Sequence, residues 1–173
     1  MGFVSDETVS ILLGTAGLSV AGLVAAFLSA SRSPATAGSS ELRRAGLGTV
    51  ATIACQSAHF AEELLAGFSR KFPPVLGLAP WPTQFFISFN LSWIVIWIFS
   101  CWTMTTGRRV ALFPVWFLAV ASMMNGVAHP LLALRAGGYF PGLLTSPLVS
   151  VMGVVLARQL LQATADAVAR PTR

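Results

Sequence analysis

The sequence predicts an all-α fold: a polytopic membrane protein whose 173 residues form a five-transmembrane-helix bundle, N-terminus out and C-terminus in. Three observations predict it. Hydrophobic residues make up 55% of the chain and charged ones only 10%, where a soluble domain carries about 25% charged residues. Mean hydropathy is +0.74. Successive apolar runs are each long enough to cross a bilayer at the helical rise of about 1.5 Å per residue, and the basic residues fall singly or in pairs between them. The net charge of +5 is therefore an orientation signal rather than a nucleic-acid-binding surface.

The first run, 9–30, follows Asp6 and Glu7 instead of a basic segment, so it reads as a helix that stays in the membrane and not as a cleaved signal. Residues 31–40 are small, include Pro34 and Gly38, and read as a loop. The second helix covers about 42–68 and is expected to stop at Arg70, Lys71 and Pro73-Pro74, because proline lacks the N–H that a helix needs. Trp81, between Pro80 and Pro82, suits the bilayer interface. The third helix covers about 84–105 and ends in Gly107-Arg108-Arg109. The fourth covers about 110–134, with Pro130 bending it beside His129. A connection over 135–145 leads to Ser146, a helix cap, with Pro147 at the first helical position. The fifth helix runs over about 146–168, and its last turns, with Arg158 and Asp166, leave the membrane. Cys55 and Cys101 lie in apolar runs and read as inert buried thiols. With no internal repeat and no domain boundary, 1–173 is one membrane domain.

Orientation follows from the loops. With the N-terminus outside, Arg32, Arg43, Arg44, Arg108, Arg109, Arg158, Arg170 and Arg173 lie inside, against Arg70, Lys71 and a snorkelling Arg135 outside. That excess of inner positive charge is the usual bias of a multi-pass protein, expected here in the plasma membrane.

Against this apolar background, His59, Glu62 and Glu63 stand out. A carboxylate at mid-bilayer costs about 2.5 kcal/mol or more, and these three stand at i, i+3 and i+4, on one helix face. Counting from the arginines that open the second and fourth helices places Asn125 and His129 at nearly the same depth, in the outer half of the bilayer. The third helix descends from outside and brings Asn90 to that level, and the connection carrying Tyr139 lies there too. Ionisable groups on separate helices must face one another or a wet cavity, since lipid cannot satisfy them. Gln56, one turn before His59 and Phe60, extends the polar face, and Trp93 and Trp97 can wall the cavity.

His59-x-x-Glu62-Glu63, Asn125-x-x-x-His129 and Tyr139-x-Pro141-Gly142 stand in this order, and together they resemble the HXXEE-domain family of small integral membrane proteins. The resemblance covers helices two to five and implies a helical bundle and these site residues, but no reaction. Three chemistries fit the residues. In the first, no cofactor is needed: two adjacent carboxyls in a low-dielectric site do not both ionise, so Glu62 or Glu63 serves as a proton donor, His59 and His129 tune or receive the proton, and Asn125 orients. Tyr139, Trp93, Trp97, Phe60, Gln56 and Asn90 would contact an isoprenoid- or lipid-like substrate, protonated and then cyclised or isomerised, with aromatic faces stabilising cationic character. The architecture, though no motif, is similar to the emopamil-binding sterol isomerase group. In the second, His59, Glu62, Glu63 and His129 hold zinc or iron, although neighbouring glutamates diverge by about 100° around a helix. In the third, the groups serve a proton-coupled carrier or a lipid-binding protein without catalysis.

Overall fold

The computed structural model describes residues 6–36 and 38–166; within them the regular structure is helical apart from one short two-stranded ribbon. The helices are α1 (Asp6–Gly14), α2 (Ala16–Ser31), α3 (Ser40–Leu65), α4 (Phe68–Val75), α5 (Thr83–Thr105), α6 (Leu112–Ala136), entered through a 3-10 turn at Arg109–Ala111, and α7 (Ser146–Ala163). Strands β1 (Arg32–Pro34) and β2 (Thr164–Asp166) pair antiparallel, Arg32 opposite Asp166.

Several boundaries differ from those expected. The first run is two helices bent by 42° at Thr15, whose hydroxyl donates back to the Ile11 carbonyl at 2.8 Å. Gly14 lies so close to Trp81 that any side chain there would run into the indole. Trp81 is therefore no interfacial anchor: it is buried, packs on Phe72 at 5.2 Å, and donates its indole N–H to Ser10 at 3.1 Å. The expected loop at 31–40 supplies β1, and the fifth helix stops at Ala163 because the chain there straightens into β2. Residues 167–168 of that expected helix, and Arg170 and Arg173 beyond it, lie outside the described residues.

Ser39 caps α3, its hydroxyl accepting the Leu42 N–H at 3.3 Å. At the other end Gly67, in the left-handed conformation at φ 79°, breaks the helix earlier than expected. A further helix, α4, then continues through Pro73 and Pro74, the pair expected to stop it. Its exposed end is held by Arg135, whose Nε donates to the Val75 carbonyl at 2.7 Å.

Neighbouring helices run antiparallel. Gly46 meets Thr105 while Phe60 meets Phe86, which sets α3 against α5. Thr52 approaches Met152 and Glu62 reaches Thr145, which sets α3 against α7. Gly153 lies on the α6 backbone at Ala119 and Met123, where even a methyl group would collide. Arg109 at the head of α6 bonds the Ala30 carbonyl at the end of α2. Thus α3 and α6 run one way, and α1–α2, α5 and α7 the other. The core between them is built on α6, with Leu112, Val115, Leu118 and Ala119 fully buried.

Three of these helices, α5, α6 with its 3-10 turn and α7, are long and apolar enough to cross a membrane, and α1 with α2 makes a fourth if the bent pair is one span. Apolarity thus marks three or four spans where five were expected. α3 has the length, 26 residues, but its buried face carries Thr49, Thr52, Gln56, His59 and Glu63. It turns that polar face to α5, α6 and α7.

Candidate functional site

The antiparallel arrangement brings the end of α3, the end of α6 and the 137–145 connection to one end of the bundle. The chain's two histidines, 70 residues apart in sequence, meet there. His59 Nε2 lies 3.2 Å from His129 Nε2, and the rings stand edge to face. Glu63 completes a triangle: its Oε1 is 3.6 Å from His59 Nε2 and 3.4 Å from His129 Nε2. All three residues are buried.

The outer nitrogen of each ring is held from behind. His129 Nδ1 lies 2.7 Å from the Pro141 carbonyl, which can only accept, so this nitrogen carries the ring's proton. His59 Nδ1 lies 2.7 Å from Thr145 Oγ1. That hydroxyl donates its one hydrogen to Glu62 Oε2 at 2.5 Å, so it accepts from His59, and Nδ1 is again the protonated nitrogen. In neutral rings both Nε2 atoms therefore point lone pairs at each other and at Glu63. Gly142 makes the approach possible. It adopts φ 87°, and a Cβ there would stand 2.6 Å from His129 Nδ1 and 2.8 Å from His59 Cε1.

The two glutamates take different partners. Glu62 turns away from the triangle and accepts four hydrogen bonds: from Tyr139 Oη at 2.8 Å, the Leu144 N–H at 3.1 Å, the Thr145 N–H at 2.9 Å and the Thr145 hydroxyl. Those donors use the acceptor capacity of an ionised carboxylate. The expected set of four ligand residues is thus reduced by geometry to three, His59, Glu63 and His129, whose ligand atoms all lie within 4.8 Å of one another. Tyr139 lies on the connection outside the helices. Partial desolvation, then the hydrogen bond and charge of Glu62, push its phenol pKa up to about 12.

A cavity of about 200 Å³ opens from this triangle, with Glu63 and His129 in its wall. Gln56, Asn90, Trp93, Trp97 and Asn125 line it. Gln56 accepts from the Ser122 hydroxyl at 3.4 Å, and Asn90 is turned back to the Phe86 carbonyl at 2.9 Å. Phe60, expected at the substrate, does not line the cavity: it packs behind the wall on Phe86 at 5.5 Å. Tyr139 also lies outside the cavity, on Glu62. Sequence reasoning missed Thr145, the link between Glu62 and His59, and the Pro141 carbonyl. Thr145 follows the Tyr139-x-Pro141-Gly142 motif by three residues, but the sequence offers no sign of which side chain it meets.

Residues 50–157 match the model of a family described as proteins of unknown function with an HXXEE motif. The chain belongs to the HXXEE family. The matched segment holds the triangle, Glu62, Thr145 and the connection between them. No curated protein and no solved structure matches the chain. In this HXXEE protein the motif's histidine and second glutamate face the triangle, while its first glutamate fastens the 137–145 connection and, through Thr145, orients the histidine.

Proposed function

We propose that this HXXEE protein is an integral membrane enzyme that binds a zinc ion on His59, Glu63 and His129 and uses it on a lipid-like molecule held in the cavity. The observation that carries the reading is the triangle's size. Zinc bonds of about 2.0–2.1 Å at tetrahedral angles separate neighbouring ligand atoms by about 3.3–3.4 Å, and bonds at right angles by about 2.9–3.0 Å. The observed separations are 3.2, 3.4 and 3.6 Å, close to the tetrahedral spacing. Two imidazoles with Nδ1–H groups engaged from behind are the usual second layer of such a centre. Two His and one carboxylate would leave a fourth position free for water or substrate, and Glu63 and His129 border the cavity. An ion there can polarise a substrate oxygen or lower the pKa of a bound water.

The membrane reading rests on the antiparallel course of α1–α2, α3, α5, α6 and α7 and on outward-facing apolar side chains such as Leu23, Phe27, Ile98 and Trp102. It has five crossings, α3 being the one screened by its neighbours, with the N-terminus outside and the C-terminus inside a plasma membrane. The site then lies toward the outer face.

Metal analysis of detergent-purified protein tests the centre. About one zinc per chain is expected, lost in Glu63→Gln and in His129→Ala. Folded wild-type protein that retains no zinc or iron after exposure to either overturns the reading; stoichiometric iron moves it to the facial arrangement.

One observation favours a second reading. The cavity wall is rich in aromatic rings, among them Trp93 and Phe117 at 4.3 Å, and their faces stabilise cationic character. In this reading Glu63 is the proton donor, the imidazoles share its proton, and the substrate is cyclised or isomerised. Glu62, with its oxygens occupied, is not the donor. Turnover by protein stripped of metal separates the two readings.

A further inference from the structure

We infer that the cavity opens sideways, through a slot between α2 and α5, so that a molecule dissolved in the outer leaflet reaches the triangle without passing through water. The inference takes the cavity as the substrate site proposed above and does not depend on which ion the triangle holds. Its first support is the packing of the two helices that flank the slot. α2 packs along α6 and α5 along α3, but α2 and α5 do not pack along each other. Both nevertheless wall the cavity, α2 with Gly17 and Leu18, α5 with Phe89 and Trp93. A wall shared by two helices that are not packed together has a seam, and α3 and α6 close the opposite side.

Exposure gives the second support. Gln56 and Glu63, on α3 at the back of the cavity, are buried. At the seam Gly17 is exposed, and Leu18, Phe85, Phe89 and Trp93 are half-buried. In the orientation proposed above, and at about 1.5 Å of rise per residue, Phe85 to Trp93 lie roughly 3 to 15 Å below the outer end of α5. That is the depth of one leaflet's hydrocarbon, about 15 Å.

The third support is that aromatic rings shut the outer end. Phe68 and Phe72 stack at 4.8 Å, Phe72 meets the buried Trp81 at 5.2 Å, and Phe68 meets Phe140 at 5.9 Å and His129 at 5.8 Å. Ser10 ties this layer to α1, accepting the Trp81 indole N–H and donating to the Ala79 carbonyl at 2.6 Å. With that end packed, the seam is the way in. The occupant that fits is an amphiphile whose apolar chain lies in the seam while its polar end meets the triangle.

Cysteine labelling of the full-length protein in lipid nanodiscs tests this without a substrate. Ala128→Cys, in a Cys55→Ala/Cys101→Ala background, puts a thiol in the cavity wall. Gly138→Cys, at an exposed position of the outer connection, puts one in water. Each protein is offered a dodecyl maleimide, which dissolves in the bilayer, and a disulfonated maleimide, whose charge keeps it out. The dodecyl reagent is expected to label position 128, and the disulfonated one to label it at least about tenfold more slowly than position 138. A Cβ at Gly17 meets only Met124, at 3.9 Å, so that position has room for a larger side chain. Gly17→Phe and, separately, Leu18→Trp fill the seam from α2. Each is expected to slow dodecyl labelling at position 128 at least about tenfold and to leave position 138 unchanged. Equal disulfonate labelling at both positions overturns the inference. So does a folded protein that does not take the dodecyl reagent at position 128, or unchanged dodecyl labelling in both filled variants when thermal unfolding shows them folded. The expected pattern in a protein that holds no metal leaves the slot standing and removes the zinc centre instead.

Discussion

His59 Nε2 and His129 Nε2 face each other across 3.2 Å with lone pairs on both, because Thr145 and the Pro141 carbonyl have claimed the protons at the opposite side of each ring. Two lone pairs at that distance repel. In the proposed centre a cation between them, with Glu63 supplying the compensating charge, would turn the repulsion into attraction.

A ligand that binds only the folded state stabilises it by mass action, about 4 kcal/mol when present at a thousandfold over its dissociation constant. Chelation is therefore expected to lower the unfolding temperature of the wild-type protein in detergent and to leave Glu63→Gln and His129→Ala unmoved. An identical chelator response in all three proteins counts against the centre.

In the proposed centre Glu62 and Thr145 would act on the metal through His59. Loss of such an outer hydrogen bond typically costs 10- to 100-fold in metal affinity. Glu62→Gln and Thr145→Val are each expected to weaken zinc by roughly that factor without abolishing it, and Thr145→Ser, which keeps the hydroxyl, to restore it. Competition with a zinc-sensitive dye reads the difference. If Thr145→Val binds zinc as tightly as the wild type, Thr145 has no positioning role.

Gly142 is held at φ 87° against both imidazoles. Alanine there meets strain of about 1–3 kcal/mol from the backbone alone, and its methyl group displaces the rings. Gly142→Ala is expected to lower the unfolding temperature and to reduce zinc retention together. Gly153→Ala, pressed against the α6 backbone 2.7 Å from the Ala119 carbonyl, is expected to destabilise by overpacking, about 1–3 kcal/mol, with zinc per folded chain unchanged. The contrast separates a site glycine from a packing glycine.

The chain has a single tyrosine, so phenolate absorbance reports Tyr139 alone. Its folded-state pKa of about 12 stands above the ordinary 10. The stabilising contribution of the neutral phenol is thus fully present below about pH 10 and is lost as pH rises from 10 to 12. Absorbance titration of the folded protein should place the midpoint near 12, and Glu62→Gln should bring it down. A wild-type midpoint at 10 means that Tyr139 does not bond Glu62.

Much of the site was legible in the sequence because charge is conspicuous in an apolar chain. Glu63 and His129 announced themselves by residue type, and their common depth followed from counting along two helices of known rise. The roles of Glu62 and Glu63 were not legible. Neighbours in sequence, they diverge around the helix, and the partners that set them apart, the connection for Glu62 and His129 for Glu63, belong to distant segments of the chain. Thr145 escaped notice for the same reason: a threonine at the start of a helix is commonplace until Glu62 and His59 are seen on either side of it. Trp81 was misplaced because flanking prolines look alike at a membrane surface and in a buried corner, and only Gly14 and Ser10 tell them apart.

By itself the sequence determined the helical class, the order of the apolar runs and the presence of ionisable groups that lipid cannot accommodate, all consequences of composition and local periodicity. Tertiary structure alone decided that Gly142 lets two imidazoles close on Glu63, that Glu62 faces the other way, and that α3 hides its polar face among α5, α6 and α7. Those outcomes depend on contacts between residues far apart in the chain, and such contacts are set by how helices pack and not by what any one helix prefers.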